Sequence, residues 1–417
     1  MGEEMQQLLK CHAKAIYETA IKENMPNSAV EKALSAFECE GKIVLVSIGK
    51  AGWEMASTAH KILGDRIDSG VVITKYDHSK GSIGKLEIYE AGHPVVDFNG
   101  ISATKRALEI TEGLTEKDTV LFLVSGGGSA LFESVNCPLE KMQELTKALL
   151  HSGATINEMN AIRKHISLVK GGKFARHASP ARVYAIVLSD VVGDDLSTIA
   201  SGPATADNTT SYDCLEILKK YNISLDEEMT SLLMNETPKE ITNATHIISG
   251  SVCQLVKSAV SQACELGYNA SVIDDSVTCD AGVIAEKIGQ IVKEQENTPV
   301  PLAIFFGGEV TIKVKGNGLG GRNQELCLLC AEKISQKSNM AVFCVGSDGT
   351  DGPTDACGGY CDGFTWETIR KNGKNPEEYL ENNDSYNGLK VADGLIITGA
   401  TGTNVNDLYA LLIQPKK

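Results

Sequence analysis

Apolar and polar positions along the chain switch repeatedly between a helical and a strand period. An amphipathic pattern over about 3–22 predicts an opening helix, and the apolar run Lys42 to Ile48 predicts a buried strand. A helix near 51–63, strands at Gly70 to Lys75 and Leu86 to Glu90, a helix near 99–112 and a strand at Thr119 to Val124 follow. Helices near 138–151 and 157–177 then lead to a strand at Arg182 to Leu188. This alternation predicts an α/β fold with a doubly wound, mainly parallel sheet, whose ligands bind beyond the C-terminal ends of the strands.

From about 207 to 242 the pattern is polar and helical with turn-rich ends, so it reads as a connector. A second α/β run begins at His246 to Ile248, with strands near 270–273, 301–306, 310–315, 341–346 and 409–413 and helices near 251–266, 280–295 and 323–336. The expected domains are therefore 1–240, larger, and 241–417, smaller. A chain of 417 residues, 42% hydrophobic and 22% charged, has enough apolar content for two such cores.

The loops after the strands carry the candidate chemistry. Lys50 stands between a strand ending at Gly49 and a helix, where an ammonium attracts anions. It is not part of a Walker A loop, because Val44 occupies the position that loop reserves for glycine. Ser125-Gly126-Gly127-Gly128-Ser129 lets backbone N–H groups approach a phosphate or carboxylate closely and adds two hydroxyls. It is no hydrolase nucleophile elbow, since Leu131 stands two residues after Ser129. The stretch 152–175 reads as one helix closed by Gly171 and Gly172. It bears Asn160, Arg163 and Lys164 on adjacent positions of one face, which suits either an anionic substrate or solvent. Asp190 directly follows a buried strand, with Asp194 and Asp195 close behind, a cluster suited to Mg²⁺ or to accepting a hydroxyl proton.

In the second half Glu309 precedes GNGLGGRNQEL, where Gly316, Gly318 and Gly321 satisfy a dinucleotide-binding spacing. The acidic residue that should close the next strand is absent. Arg322, with Asn323 beside it, sits instead at a helix start, where a guanidinium stabilises charge on a transferring phosphoryl group. Asp348, Asp351 and Asp355 fail the spacing of a calcium loop and leave a magnesium contact or turn formation open.

A net charge of −15 disfavours nucleic acid and anionic membranes as partners. No apolar run approaches the ~18 residues of a membrane span, and the acidic N-terminus lacks a signal-peptide pattern, so a cytoplasmic protein is expected. The 12 cysteines are scattered through predicted helices and strands, consistent with reduced, buried thiols.

In this order, GKAGWEMA, SGGGSALF, GATINEMNAIRKHISLVKGGKFA, SDVVGDDLSTIASGPATAD, GGEVTIKVKGNGLGGRNQEL, SDGTDGPTDACGG and TGTNVNDL resemble the class II glycerate kinases, the glycerate 2-kinase family with a C-terminal MOFRL domain. The resemblance spans about 10–412. It implies ATP-dependent phosphorylation of D-glycerate at the 2-hydroxyl, with Mg²⁺, in a cleft between a Rossmann-like domain and a smaller C-terminal one. Lys50 and Arg322 match the family's basic residues at that cleft. The remaining roles are inferred beside it. Asp190 acts as base or metal ligand, with Asp194 and Asp351 as further candidate ligands. Ser125 to Ser129, Asn160, Arg163, Lys164, Glu309 and Asn323 are expected to hold substrate or phosphate. Glycerate and ATP are the expected partners, with a homodimer left open. Ala400 departs from the proline expected in many relatives. Two alternatives stand beside this reading: a nicotinamide-dependent hydroxypyruvate or tartronate reductase, a label proteins of this kind have carried, and a non-catalytic sugar-acid or nucleotide sensor.

Overall fold

The computed structural model describes residues 2–416. The chain divides into two compact units, Ala29–Ser249 and Met1–Ser28 with Gly250–Lys417. The first helix, Gly2–Glu23, therefore belongs with the C-terminal part rather than with the domain that follows it in sequence. Its apolar face, with Leu9, Ile16 and Ala20 fully buried, packs on the helix Val252–Glu265 and on a strand of the second sheet.

The Ala29–Ser249 unit is built on β1 (Ile43–Ile48), β2 (Ile67–Lys75), β3 (Glu87–Ala91), β4 (Thr119–Val124), β5 (Arg182–Leu188) and β6 (Ala244–Gly250). They form one sheet in the order β3-β2-β1-β4-β5-β6, with β1 to β5 all parallel. This is the doubly wound order expected of a Rossmann-like sheet, and its direction reverses between β1 and β4. Every residue of β1 and β4 is buried, as a sheet covered by helices on both faces requires.

Three expectations change here. The strand at His246 to Ile248 opens no second domain but lies in β6, the edge of the first sheet. The 207–242 stretch is not a linker. Its helices Ser211–Lys220 and Glu227–Leu233 bury Cys214, Leu218, Met229 and Leu233 against Met142, Leu149 and Ile162, making a satellite core. Finally, the helix expected over 157–177 is broken into Ile156–Ile166 and Lys173–Ala178. Between them Lys170 turns inward, fully buried, and donates to Glu133 (2.6 Å) and to the Phe132 carbonyl (3.0 Å). That ion pair removes Lys170 from any solvent-facing helix surface.

The second sheet is mixed. It comprises β7 (Asn269–Val277), β8 (Leu302–Gly308), β9 (Met340–Gly346), β10 (Gly358–Asp362), β11 (Leu395–Ile396) and β12 (Asp407–Ile413), in the order β11-β10-β9-β12-β8-β7. Only β7 and β8 pair in parallel. Strand pairing expected at 310–315 shrinks to a single bridge at Thr311. The consequence for function is geometric. Because β12 runs against both β8 and β9, Asp407 pairs with Gly308 and with Gly346, so the loops after β8 and β9 and before β12 meet at one end of the sheet.

Candidate active site

At the reversal of the first sheet the loops after β1 and β4 are bonded to each other. Lys50 N–H donates to the Gly126 carbonyl (2.9 Å), Ser125 Oγ donates to the Ile48 carbonyl (3.1 Å), and Ala51 N–H donates to Ser125 Oγ (3.1 Å). Ser125 is thus a buried clamp between the loops rather than a ligand-facing hydroxyl. Gly49 must be glycine, since at φ +108° a Cβ would lie 2.3 Å from Ser125 Oγ. The N–H groups of Gly126, Gly127, Gly128 and Ser129 donate to no acceptor among the described residues. A Cβ on Gly126 would come within 2.3 Å of Asp190 Oδ2, and one on Gly127 within 3.4 Å of Lys50 Cγ and 3.0 Å of His93 Cδ2. Lys50, Asp190 and His93 therefore crowd the same glycine loop. Burial, with Lys50 and Lys75 adding to it, lowers the His93 pKa and favours the neutral imidazole.

The helix Ile156–Ile166 divides the three residues expected on one face. Asn160, buried, accepts from Ser201 Oγ (3.3 Å), whose partner is Ser129 Oγ (3.0 Å). Lys164, also buried, is committed to Asp207 (3.3 Å) and is structural rather than substrate-binding. Arg163 lines a cavity of about 560 Å³ together with His93, Gly127, Ser129 and Met142. Ser201 sits in a strained turn, with Ala200, Ser201 and Gly202 at φ of +51°, +60° and +64°. The N–H groups of Gly171 and Gly172 hold its carbonyls (3.0 and 2.7 Å), which is how non-glycine residues persist in that region.

In the second unit Arg322 opens the helix Arg322–Lys333 and is held from two sides. Its Nε and Nη2 donate to Asp407 Oδ2 and Oδ1 (2.6 and 3.2 Å), and Nη1 donates to Glu309 (2.5 Å). Burial opposes the charge, but the bonds and the negative charge of Asp407, with Glu309, outweigh it and hold the guanidinium above its ordinary pKa. Glu309, expected to touch substrate, is thereby a brace for Arg322. Asn323, expected to do the same, is buried beside Asp351.

Asp351 accepts from the backbone N–H groups of Asn323 (3.2 Å) and Gln324 (2.8 Å) and closes this helix start. Burial raises its pKa to about 7 against the pull of those donors. With both oxygens engaged it is a poor metal ligand. The glycines at 316–321 make no cradle for a pyrophosphate. A Cβ on Gly316, Gly318 or Gly320 would lie 2.3–2.5 Å from atoms of Asn382, Asp384 or Ser385. The N–H groups of Lys315 to Leu319 donate to that same segment.

Among the described residues no group of three or more His, Cys, Asp or Glu side chains is placed to hold a metal ion. The donor set fits Mg²⁺ in a sparser way, because Asp194 Oδ1 is buried without a hydrogen-bond partner. Magnesium commonly takes one or two carboxylates and completes its shell with phosphate and water. Asp195 is occupied in capping Ser197 and Thr198. No helix among the described residues is long and apolar enough to cross a membrane.

Three residues escape the sequence reading. Asp407 and Ser201 lie inside quoted blocks but gain meaning only through strand register and a left-handed turn. His93, directly after β3, had a legible position at the end of a parallel strand.

A doubly wound sheet with open backbone donors at its reversal in one unit, and a mixed sheet carrying a braced arginine in the other, define a two-unit α/β protein. A family described as a domain of unknown function (DUF4147) matches residues 12–234, and the MOFRL family matches 302–407. The chain is 49% identical to a D-glycerate 2-kinase of Thermotoga maritima, over 97% of this chain and 98% of that protein. It is 38% identical to a glycerate 2-kinase of Pyrococcus horikoshii, over 91% and 89% respectively. A crystal structure of a glycerate kinase from Thermotoga maritima matches with a TM-score of 0.93 at 48% identity, covering 97% of this chain and 99% of that one. The chain belongs to the glycerate 2-kinase family.

Proposed function

We propose that the protein transfers the γ-phosphoryl group of ATP to the 2-hydroxyl of D-glycerate, giving 2-phospho-D-glycerate and ADP. The observation that carries this reading is the cluster at the reversal of the first sheet. Four successive backbone N–H groups, at Gly126 to Ser129, lie open beside Lys50 and against Asp190, the polarity an anionic donor and a hydroxyl acceptor need. In the step itself the glycerate oxygen bonds to the γ-phosphorus while the bond to the β-bridging oxygen breaks. The hydroxyl proton passes to the Asp190 carboxylate. Lys50 neutralises charge on the phosphoryl oxygens, and Arg322 is the other unit's candidate for charge neutralisation. Arg322 needs little reorganisation, because Asp407 and Glu309 already fix its plane. Asp194 would hold Mg²⁺, which when bound neutralises charge on the phosphate oxygens.

A reductase reading loses its site, since the 316–321 glycines are filled by Asn382 to Ser385 and the adjoining helix start is closed by Asp351. A ³¹P NMR assay of the purified protein with D-glycerate, ATP and Mg²⁺ tests the proposal, beside a control with NADH and hydroxypyruvate. A new phosphomonoester resonance coupled to the C2 proton is expected. NADH consumption without phosphoryl transfer would overturn the reading.

A further inference from the structure

Building on that activity, we infer that the 560 Å³ cavity beside the glycine loop is the nucleoside site, so that the Ala29–Ser249 unit binds the phosphoryl donor. The cavity is lined by residues of two kinds. Its body is hydrocarbon from Pro94 and Val96 after β3 and from Met142 and Leu150 on the helix Leu139–Ser152. Its polar lining includes Gly127 and Ser129, whose N–H groups are unused, with Arg163, Lys147 and the Lys170-paired Glu133.

Size and polarity together choose the occupant. Sites of ~300–1,000 Å³ with apolar walls and a few placed polar groups suit ligands larger than a three-carbon acid. Glycerate is polar at every carbon, and the hydrocarbon walls would leave its hydroxyls without partners. A purine has two apolar faces and polar edges. Gln143 spends its amide N–H on the Val96 carbonyl (2.8 Å), leaving its Oε1 as an acceptor at the wall for a ring amino group. The phosphates then run along the glycine loop toward Lys50.

Arg163 adds a separate argument. It makes no hydrogen bond or ion pair among the described residues, and burial lowers its pKa, with Glu133 as the opposing charge. A half-buried guanidinium without a bonded carboxylate is completed by an anion entering the cavity.

Thr146, on the same wall, is half-buried and Leu150 is exposed at the rim. Thr146→Trp fills the cavity and Leu150→Glu places a charge at its mouth. For each folded variant, the dissociation constant of mant-ADP and the KM values for ATP and D-glycerate are measured. The expected result is a rise of about tenfold or more in the mant-ADP constant and in KM for ATP, with KM for glycerate within about twofold of the parent. A rise confined to glycerate would assign the cavity to the acceptor and overturn the inference, as would any pattern that leaves ATP unaffected. If Thr146→Trp fails to fold, Leu150→Glu, on the exposed rim, decides alone. Parent protein that binds mant-ADP at this cavity yet phosphorylates no glycerate would defeat the proposed activity and leave the nucleoside site standing.

Discussion

Two glycine-rich loops, each between a strand and a helix, are put to opposite uses. In Ser125 to Ser129 the glycines expose backbone: the N–H groups of Gly126 to Ser129 have no acceptor among the described residues, and the space above them is a cavity edge. In Gly316 to Gly321 the glycines hide it, admitting the Asn382 to Ser385 segment so closely that no Cβ would fit. One loop keeps its donors open and the other spends them on packing, although the second carries the more familiar nucleotide spacing. Glycine density reports that something approaches the backbone. What approaches is decided by whether another part of the chain already consumes the donors.

The largest effect should come from the group that the second loop positions. Arg322→Ala is a blunt test, because Asp407 is nearly inaccessible and would be left as an unpaired buried carboxylate, costing stability by itself. Arg322→Lys keeps the charge and loses the two-pronged grip on Asp407. A fall in kcat/KM of roughly two orders of magnitude, about 3 kcal/mol of transition-state stabilisation, is expected with the melting transition largely kept. Parent-like turnover would remove Arg322 from the reaction.

Next in size is Gly318→Ala, whose methyl would meet Asp384 Cβ at 2.4 Å and the Asn382 carbonyl oxygen at 2.5 Å. Overpacking against backbone predicts a stability loss of about 1–3 kcal/mol in denaturant unfolding, with KM for ATP unchanged in the folded fraction. A variant of normal stability and weakened nucleotide binding would mean that this loop meets ligand after all.

The helix start between these two features should respond to pH. The Asp351 carboxyl is raised by burial from 3.8 to about 7, so the native state keeps a proton that the unfolded chain releases across that window. Stability from this group is full below about pH 4 and is lost as the pH rises through 7, a change of about 2 kcal/mol between pH 5 and 7. Asp351→Asn should flatten that part of the stability profile. An unchanged slope would show that the donors from Asn323 and Gln324 already keep the carboxylate ionised.

Sequence pattern alone located the strands of both sheets where burial is continuous, as in β1, β4 and β9, because an unbroken apolar run has few alternatives. It failed where tertiary contacts override local periodicity. Residues 157–177 have helical spacing throughout, yet Lys170 is drawn into the core by Glu133 and the helix breaks. Strand pairing expected near 310–315 gave way to a loop held by Asn383. Lys50, Asp190, Arg163 and Arg322 could be picked out as candidates because each follows a strand or marks a helix face or start. That Arg163 lines an open cavity while Lys164, one residue on, meets a buried partner depends on Asp207, more than forty residues away.

The finest test of the contrast is Gly127→Ala. Gly127 has φ +89°, and its new methyl would sit 3.0 Å from His93 Cδ2 and 3.4 Å from Lys50 Cγ, both side-chain atoms able to yield. The cost to folding is therefore mainly backbone strain, about 1 kcal/mol. The methyl also lies beside the donors that the proposed phosphates would use. A rise in KM for ATP of about fivefold is expected, larger than the change in KM for glycerate, with only a small shift in melting temperature. Gly127→Ala and Gly318→Ala should then separate cleanly, one weakening nucleotide binding and the other stability. If Gly127→Ala destabilised the fold as much as Gly318→Ala while sparing ATP, the open N–H groups would be a packing feature too, and the distinction between the two loops would collapse.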